Sequence, residues 1–254
     1  MKNLRISIRG TVAAEFAALL LLSAFALPPA GAGVVVERCS YPSGGVKILV
    51  DVYHPSAAGL HLPVLVLNGA GGMLFDGPEM TRVSQRLASA GFEVYQVHYF
   101  DRTHTWFARQ TVLLKLFPTW LGTVRDAVDW LHARRSDTPK IGIFGYSLGA
   151  FAAIEIARRD PTIGAVVEEA GGFWHGHPEG PTRQPLPPVL VIHGTRDTRV
   201  PYEKYTKPLI AFLSAHHDPF EKKFYLGQGH DFSAAAAADV REQAVKFFTK
   251  YLAD

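Results

Sequence analysis

The sequence predicts an α/β protein, a mostly parallel sheet with helices on both of its faces. Short, predominantly apolar runs at residues 63–68, 141–145 and 189–193 read as strands buried on both sides. Between them lie segments whose apolar residues recur at spacings of three and four, the period of an amphipathic helix. Glycine and proline separate the two kinds of segment. With 254 residues, 48% hydrophobic and 19% charged, the chain has the composition of a globular domain and the size of one.

The elements follow in order. Stretches 34–39 and 46–53 are rich in β-branched residues and are separated by Pro42-Ser43-Gly44-Gly45, a hairpin-like break. The strand at 63–68 leads into Gly69-Ala70-Gly71-Gly72, then a helix carrying Met80, Val83 and Leu87 that Gly91 stops. After a strand at 92–98, a helix is marked by Trp120, Leu121, Val124, Val128 and Leu131, and the strand 141–145 follows it. Further strands are expected at 163–168, 189–193 and 222–226, and helices near 148–159, 202–215 and 236–252. Val240, Ala244, Phe247, Phe248 and Tyr251 give the last helix its apolar face.

The first 32 residues read as an export signal. Lys2, Arg5 and Arg9 precede an apolar run at 16–27, Pro28-Pro29 ends it, and Ala30-Gly31-Ala32 supplies a small-x-small cleavage pattern. Twelve apolar residues are too few to span a bilayer, which takes about 20. The expected division is therefore a signal peptide over 1–32 and a single domain over 33–254, giving a periplasmic or secreted protein with no stable membrane anchor after cleavage. Residues 1–32 hold those three bases and Glu15, which leaves 23 basic against 22 acidic residues. So balanced a body gives no electrostatic case for nucleic acid. A lone cysteine, Cys39, excludes an intrachain disulfide and a cysteine-rich metal site.

The chemistry concentrates beyond three strand ends. Gly145-Tyr146-Ser147-Leu148-Gly149 falls where a strand gives way to an alanine-rich helix, the context that a G-x-S-x-G nucleophile elbow requires. The helix N-terminus beside Ser147 favours a developing anion. A serine hydroxyl needs a base, and the base a carboxylate to orient it. Asp197, in Gly194-Thr195-Arg196-Asp197, and His230, in Gly227-Gln228-Gly229-His230-Asp231, follow later strands. Among 11 histidines, His230 lies in a glycine-flanked loop after the last strand. His193 ends a strand and would brace the acid loop, while His98 could line the pocket. Glu168 and Glu169 are rivals for the acid but adjoin the Ala170-Gly171-Gly172 turn. Asp231 is next to His230, and neighbouring side chains diverge. The amides of Leu148 and of Ala70, in the glycine-rich loop, are the expected oxyanion donors.

Gly-Tyr-Ser-Leu-Gly at 145–149, His-Gly-Thr-Arg-Asp at 193–197 and Gly-His-Asp-Phe at 229–232 resemble the dienelactone hydrolase-like branch of the α/β-hydrolase superfamily. The resemblance runs from about residue 46 onward. It implies the α/β-hydrolase fold with no separate cap domain, a cofactor-free acyl transfer, and the triad Ser147, Asp197 and His230 with Leu148 and Ala70 as oxyanion donors. Two departures stand out. Dienelactone hydrolases proper use a cysteine helped by a glutamate in the oxyanion loop, where this chain has Ser147 and Gly69, and the frequent His-Gly of related esterases is replaced by Asn68-Gly69.

The expected function is hydrolysis of a small ester, lactone or thioester, with a prolyl-oligopeptidase-like peptidase and a non-catalytic binding module as alternatives. Met73, Phe100, Trp106, Tyr146 and Trp174 are candidates for the substrate pocket, and Phe107, Leu113, Leu116 and Phe117 could help cover it. Residues 171–188 are too short for a cap. His175-Gly176-His177 with Glu179 reads as a solvated loop rather than a metal site. The oligomeric state is left open.

Overall fold

The computed structural model describes residues 33–252 apart from 56–60, 136, 138, 139, 179 and 181–184. The expected signal segment lies outside the described residues. Among these residues no helix is long and apolar enough to cross a membrane.

Eight strands form one sheet in the order β1-β2-β4-β3-β5-β6-β7-β8. Strands β1 (Val34–Ser43) and β2 (Val46–Pro55) are an antiparallel hairpin. Its two-residue turn is Gly44-Gly45, both at positive φ (53° and 80°), as a type I′ turn requires. The expected four-residue break is therefore shorter, because Pro42 and Ser43 pair with Lys47 and Val46. Strand β2 runs antiparallel to β4 (Glu93–Val97), and every later pairing is parallel. These involve β3 (Pro63–Leu67), β5 (Ile141–Tyr146), β6 (Ile163–Glu169), β7 (Val189–Gly194) and β8 (Phe220–Tyr225).

Every residue of β3, β6 and β7 is buried, which is why apolar residues dominate these segments apart from Glu168, Glu169 and His193 at their carboxyl ends. Helices α1 (Gly72–Phe75), α2 (Gly77–Ser89) and α6 (Ala234–Leu252) precede or cover one face, and α3 (Gln110–Arg134), α4 (Leu148–Ala157) and α5 (Thr206–Ala215) the other. The apolar residues that mark α2 in sequence, Met80, Val83 and Leu87, are its buried ones. On the opposite face Trp120 is fully buried, stacks on Phe100 at 4.3 Å and donates its indole N–H to Thr103 Oγ1 at 2.8 Å. A large buried side chain of this kind contributes about 1.5–3 kcal/mol.

Helix α3 begins some ten residues before Trp120, its first marked residue. Pro118 lies inside it and reads in sequence as a helix breaker. Leu113, Leu116 and Phe117 accordingly sit on early turns of α3 rather than in a loop over a pocket. Because β3 lies between β4 and β5, the strand order reverses beside β3, and the crevice outside its carboxyl end is where open parallel sheets place their ligands. The glycine-rich loop and Ser147 both leave the sheet there.

Candidate active site

Ser147 sits on a sharp turn between β5 and α4 with φ 52° and ψ −113°. Positive φ is strained for a residue with a side chain. Close packing on both sides holds it there. A Cβ on Gly145 would collide with the Gly149 carbonyl, and one on Gly149 with the Leu67 and Asn68 carbonyls. The Ser147 N–H donates to the Glu169 carbonyl at 2.8 Å, which ties the turn to β6.

The Ser147 hydroxyl lies 2.9 Å from His230 Nε2, and His230 Nδ1 lies 2.7 Å from Asp197 Oδ2. All three residues are buried. The other carboxylate oxygen of Asp197 accepts the Arg199 and Val200 N–H groups, each at 2.9 Å. Burial alone would raise this carboxyl, but the His230 and Val200 hydrogen bonds and the nearby rings hold it below the ordinary carboxylate range. Ionised Asp197 requires a hydrogen on His230 Nδ1, which leaves Nε2 to accept from the serine. The acid and base loops are fastened to each other. Arg196 N–H donates to the Gln228 carbonyl at 2.8 Å and Gly227 N–H to Thr195 Oγ1 at 2.9 Å.

The sequence rivals take other places. His193 Nδ1 is 3.1 Å from Thr206 Oγ1 and its Nε2 is 3.9 Å from Asp197, and burial pushes its pKa down. A neutral ring packed there braces the acid. His98 pairs with Asp51 at 2.8 Å on the hairpin side of the sheet rather than lining a pocket. Glu168 accepts the Gly171 N–H at 2.9 Å, and Glu169 points to the opposite face, so neither reaches His230. Asp231 turns outward to Arg199 and to the Tyr146 hydroxyl, at 3.0 and 2.9 Å.

At the N-terminus of α4 the Leu148 amide has no intrahelical acceptor. Across from it the Gly69–Gly72 turn closes through Gly72 N–H to the Gly69 carbonyl at 3.1 Å. Tyr99 fixes its stem by donating to the Asn68 carbonyl at 2.6 Å. The Ala70 amide, like that of Leu148, makes no backbone hydrogen bond among the described residues. A Cβ placed on Gly69 would lie 3.0 Å from the Ser147 Cβ, so this loop borders the serine.

Sequence reasoning missed Asp76. Its Oδ2 would lie 2.8 Å from a Cβ on Gly69, its carboxyl faces the Gly69 and Gly71 amides, and burial pushes its pKa up to about 6. Thus an acid lies beside the glycine-rich loop although position 69 carries none. In sequence, Asp76-Gly77-Pro78 reads simply as a helix start, which disguises it.

Of the five pocket candidates, only Tyr146 lines the cavity of about 470 Å³ that adjoins the site. Phe100 is a core residue, buried against Trp120. Trp106 turns outward, 74% exposed. Trp174 stacks on Phe117 at 4.1 Å, and Met73 faces Gln96, its sulfur 3.5 Å from the amide nitrogen. The aromatic residues between β4 and α3 are packed in the core or turned to solvent, and none of them lines this cavity. The His175 and His177 rings lie 6.4 Å apart, and Glu179 is outside the described residues.

A mostly parallel sheet of this order, with a serine, an acid and a histidine converging from β5, β7 and β8, defines an α/β hydrolase. The family model of the dienelactone hydrolase family matches residues 50–252, and the chain belongs to that family. Solved structures agree on the fold. A dienelactone hydrolase-like promiscuous phosphotriesterase, P91 from metagenomic libraries, superposes with a TM-score of 0.73 at 18% identity over 86% of this chain and 99% of its own. The dienelactone hydrolase of Anabaena variabilis gives 0.66 at 21% identity over 87% and 99%. An acylaminoacyl peptidase of Pyrococcus horikoshii gives 0.66 at 14% identity over 87% of this chain but 42% of that one. No functionally curated protein matches the sequence.

Proposed function

We propose that the chain is an exported serine hydrolase that cleaves a small carboxylic ester, lactone or thioester through an acyl-enzyme on Ser147. The observation that carries this reading is the continuous path from the Ser147 hydroxyl through His230 to Asp197, at 2.9 and 2.7 Å. His230 Nε2 takes the hydroxyl proton as the oxygen bonds to the carbonyl carbon, and Asp197 stabilises the imidazolium that forms. The Leu148 and Ala70 amides receive the oxyanion. The protonated ring then gives its proton to the departing alcohol, and the same His230 activates the water that releases the acid. A serine rather than a cysteine nucleophile, with Asp76 rather than a residue at position 69 beside the loop, favours ordinary esters over the substrate that names the family. Purified protein should hydrolyse short-chain esters faster than short peptide amides, and Ser147→Ala should lower ester turnover by several orders of magnitude with the fold retained. Peptide amides turned over in preference to esters would point instead to the peptidase reading.

A further inference from the structure

The cavity beside the site lies between α2 and α6, on the sheet face opposite α4, and Asp76, Glu79, Tyr146, Glu169, Asp231 and Arg241 are among its walls. It shares a rim with the triad. The Tyr146 ring is 5.3 Å from that of His230, Asp231 follows His230 in the chain, and Asp76 and Ser147 flank the same glycine. Its charges are unevenly matched. Arg82, at 2.9 Å, and Arg241 both pair with Glu79, while Arg199 takes Asp231.

Two acids are left over. Glu169 is 6% exposed and opens on the cavity, and the charge nearest to matching its carboxyl is that of Arg241, which is already paired with Glu79. The Asp76 carboxyl accepts from the Gly71 and Gly69 amides, but its Oδ2 is buried with no partner among the described residues. Burial raises both carboxyls, with help for Glu169 from the charge of Glu79, to about 8 for Glu169 and about 6 for Asp76. Buried polar groups are normally satisfied. An anion would meet like charge here, and a hydrocarbon would leave the Glu169 carboxyl and Asp76 Oδ2 without a hydrogen-bond partner. A protonated amine supplies positive charge and up to three donors.

We propose that this cavity is a subsite for an alkylammonium group of the substrate, with Glu169 and Asp76 as its counter-charges. Its link to turnover rests on the serine hydrolase reading, whereas binding itself does not. n-Butylammonium and n-butanol titrated calorimetrically into the full chain near pH 9, above the Glu169 value of about 8, test it. The ammonium should bind at least about 10-fold more tightly, as charge-assisted hydrogen bonds imply. Glu169→Gln or Asp76→Asn should each remove most of that advantage. Glu221→Gln, at an exposed acid of β8 paired with Lys250 of α6, should not.

In turnover, ethyl ω-ammoniohexanoate should outpace ethyl heptanoate in kcat/KM by a similar factor. Equal binding of amine and alcohol, or an advantage that survives both Glu169→Gln and Asp76→Asn, overturns the subsite. Having two variants keeps the test decisive if one fails to fold. Amine binding without hydrolysis of either ester would uphold the subsite and remove the hydrolase reading. Ser147-dependent hydrolysis with no amine preference would do the reverse.

Discussion

Replacing Glu169 with glutamine should flatten the dependence of stability on alkaline pH. In the native protein burial holds this carboxyl neutral up to about pH 8, against an ordinary value of 4.5. A folded-state pKa that is raised means that the native state holds a proton which the unfolded chain releases. The stability this contributes is complete below 4.5 and is lost as pH climbs through 8. Each tenfold difference in proton affinity between the folded and unfolded chain is worth about 1.4 kcal/mol, so the loss between pH 6 and pH 9 comes to roughly 2–3 kcal/mol. Glutamine keeps the shape of the neutral acid and has no proton to lose. Urea unfolding of both proteins at pH 6 and pH 9 isolates the group, since every other titration is common to the pair. The variant should gain roughly 2–3 kcal/mol relative to wild type on going to pH 9, or roughly 5–10 °C in Tm for a domain of this size. Parallel stability curves would show that Glu169 ionises in the folded state as it does in solution, and would refute the reasoning.

Other perturbations act on the turn, the triad and the leader. Asp197→Asn should lower kcat by about 10⁴ with the fold intact, because the amide cannot fix the reactive tautomer of His230, and steady-state ester hydrolysis reads it. Gly149→Ala pushes a methyl group into the Leu67 and Asn68 carbonyls and should cost about 1–3 kcal/mol as well as most of the activity, measured by denaturant unfolding and ester turnover. Expression in an exporting host should yield protein that begins at Gly33, which N-terminal sequencing reads directly, and a product retaining Lys2 would remove the export proposal.

The parts that were legible in the sequence are those whose physics is local. An elbow needs glycines two residues either side of the serine, and the Asp197 and His230 loops each follow a strand, so order along the chain was enough to place them. The hairpin was legible through Gly44-Gly45, although its strands run longer than their β-branched cores. What depends on packing between distant segments was hidden. The first turns of α3 were masked by Pro118, and the role of Phe100 was settled by its stacking on Trp120. The cavity is assembled from α2, the ends of β5 and β6, and the start of α6. No window of sequence contains it. Asp76 and Glu169 meet there only because the sheet brings their elements to one edge.

The central claim is that Ser147 is an activated nucleophile, and intact mass after brief exposure to a fluorophosphonate tests it most directly. The wild-type protein should gain a single phosphonyl adduct, mapped by peptide digestion to Ser147, while Ser147→Ala gains none and His230→Ala reacts far more slowly. A folded wild-type protein that takes up no probe, or an adduct on a different serine, would contradict the account.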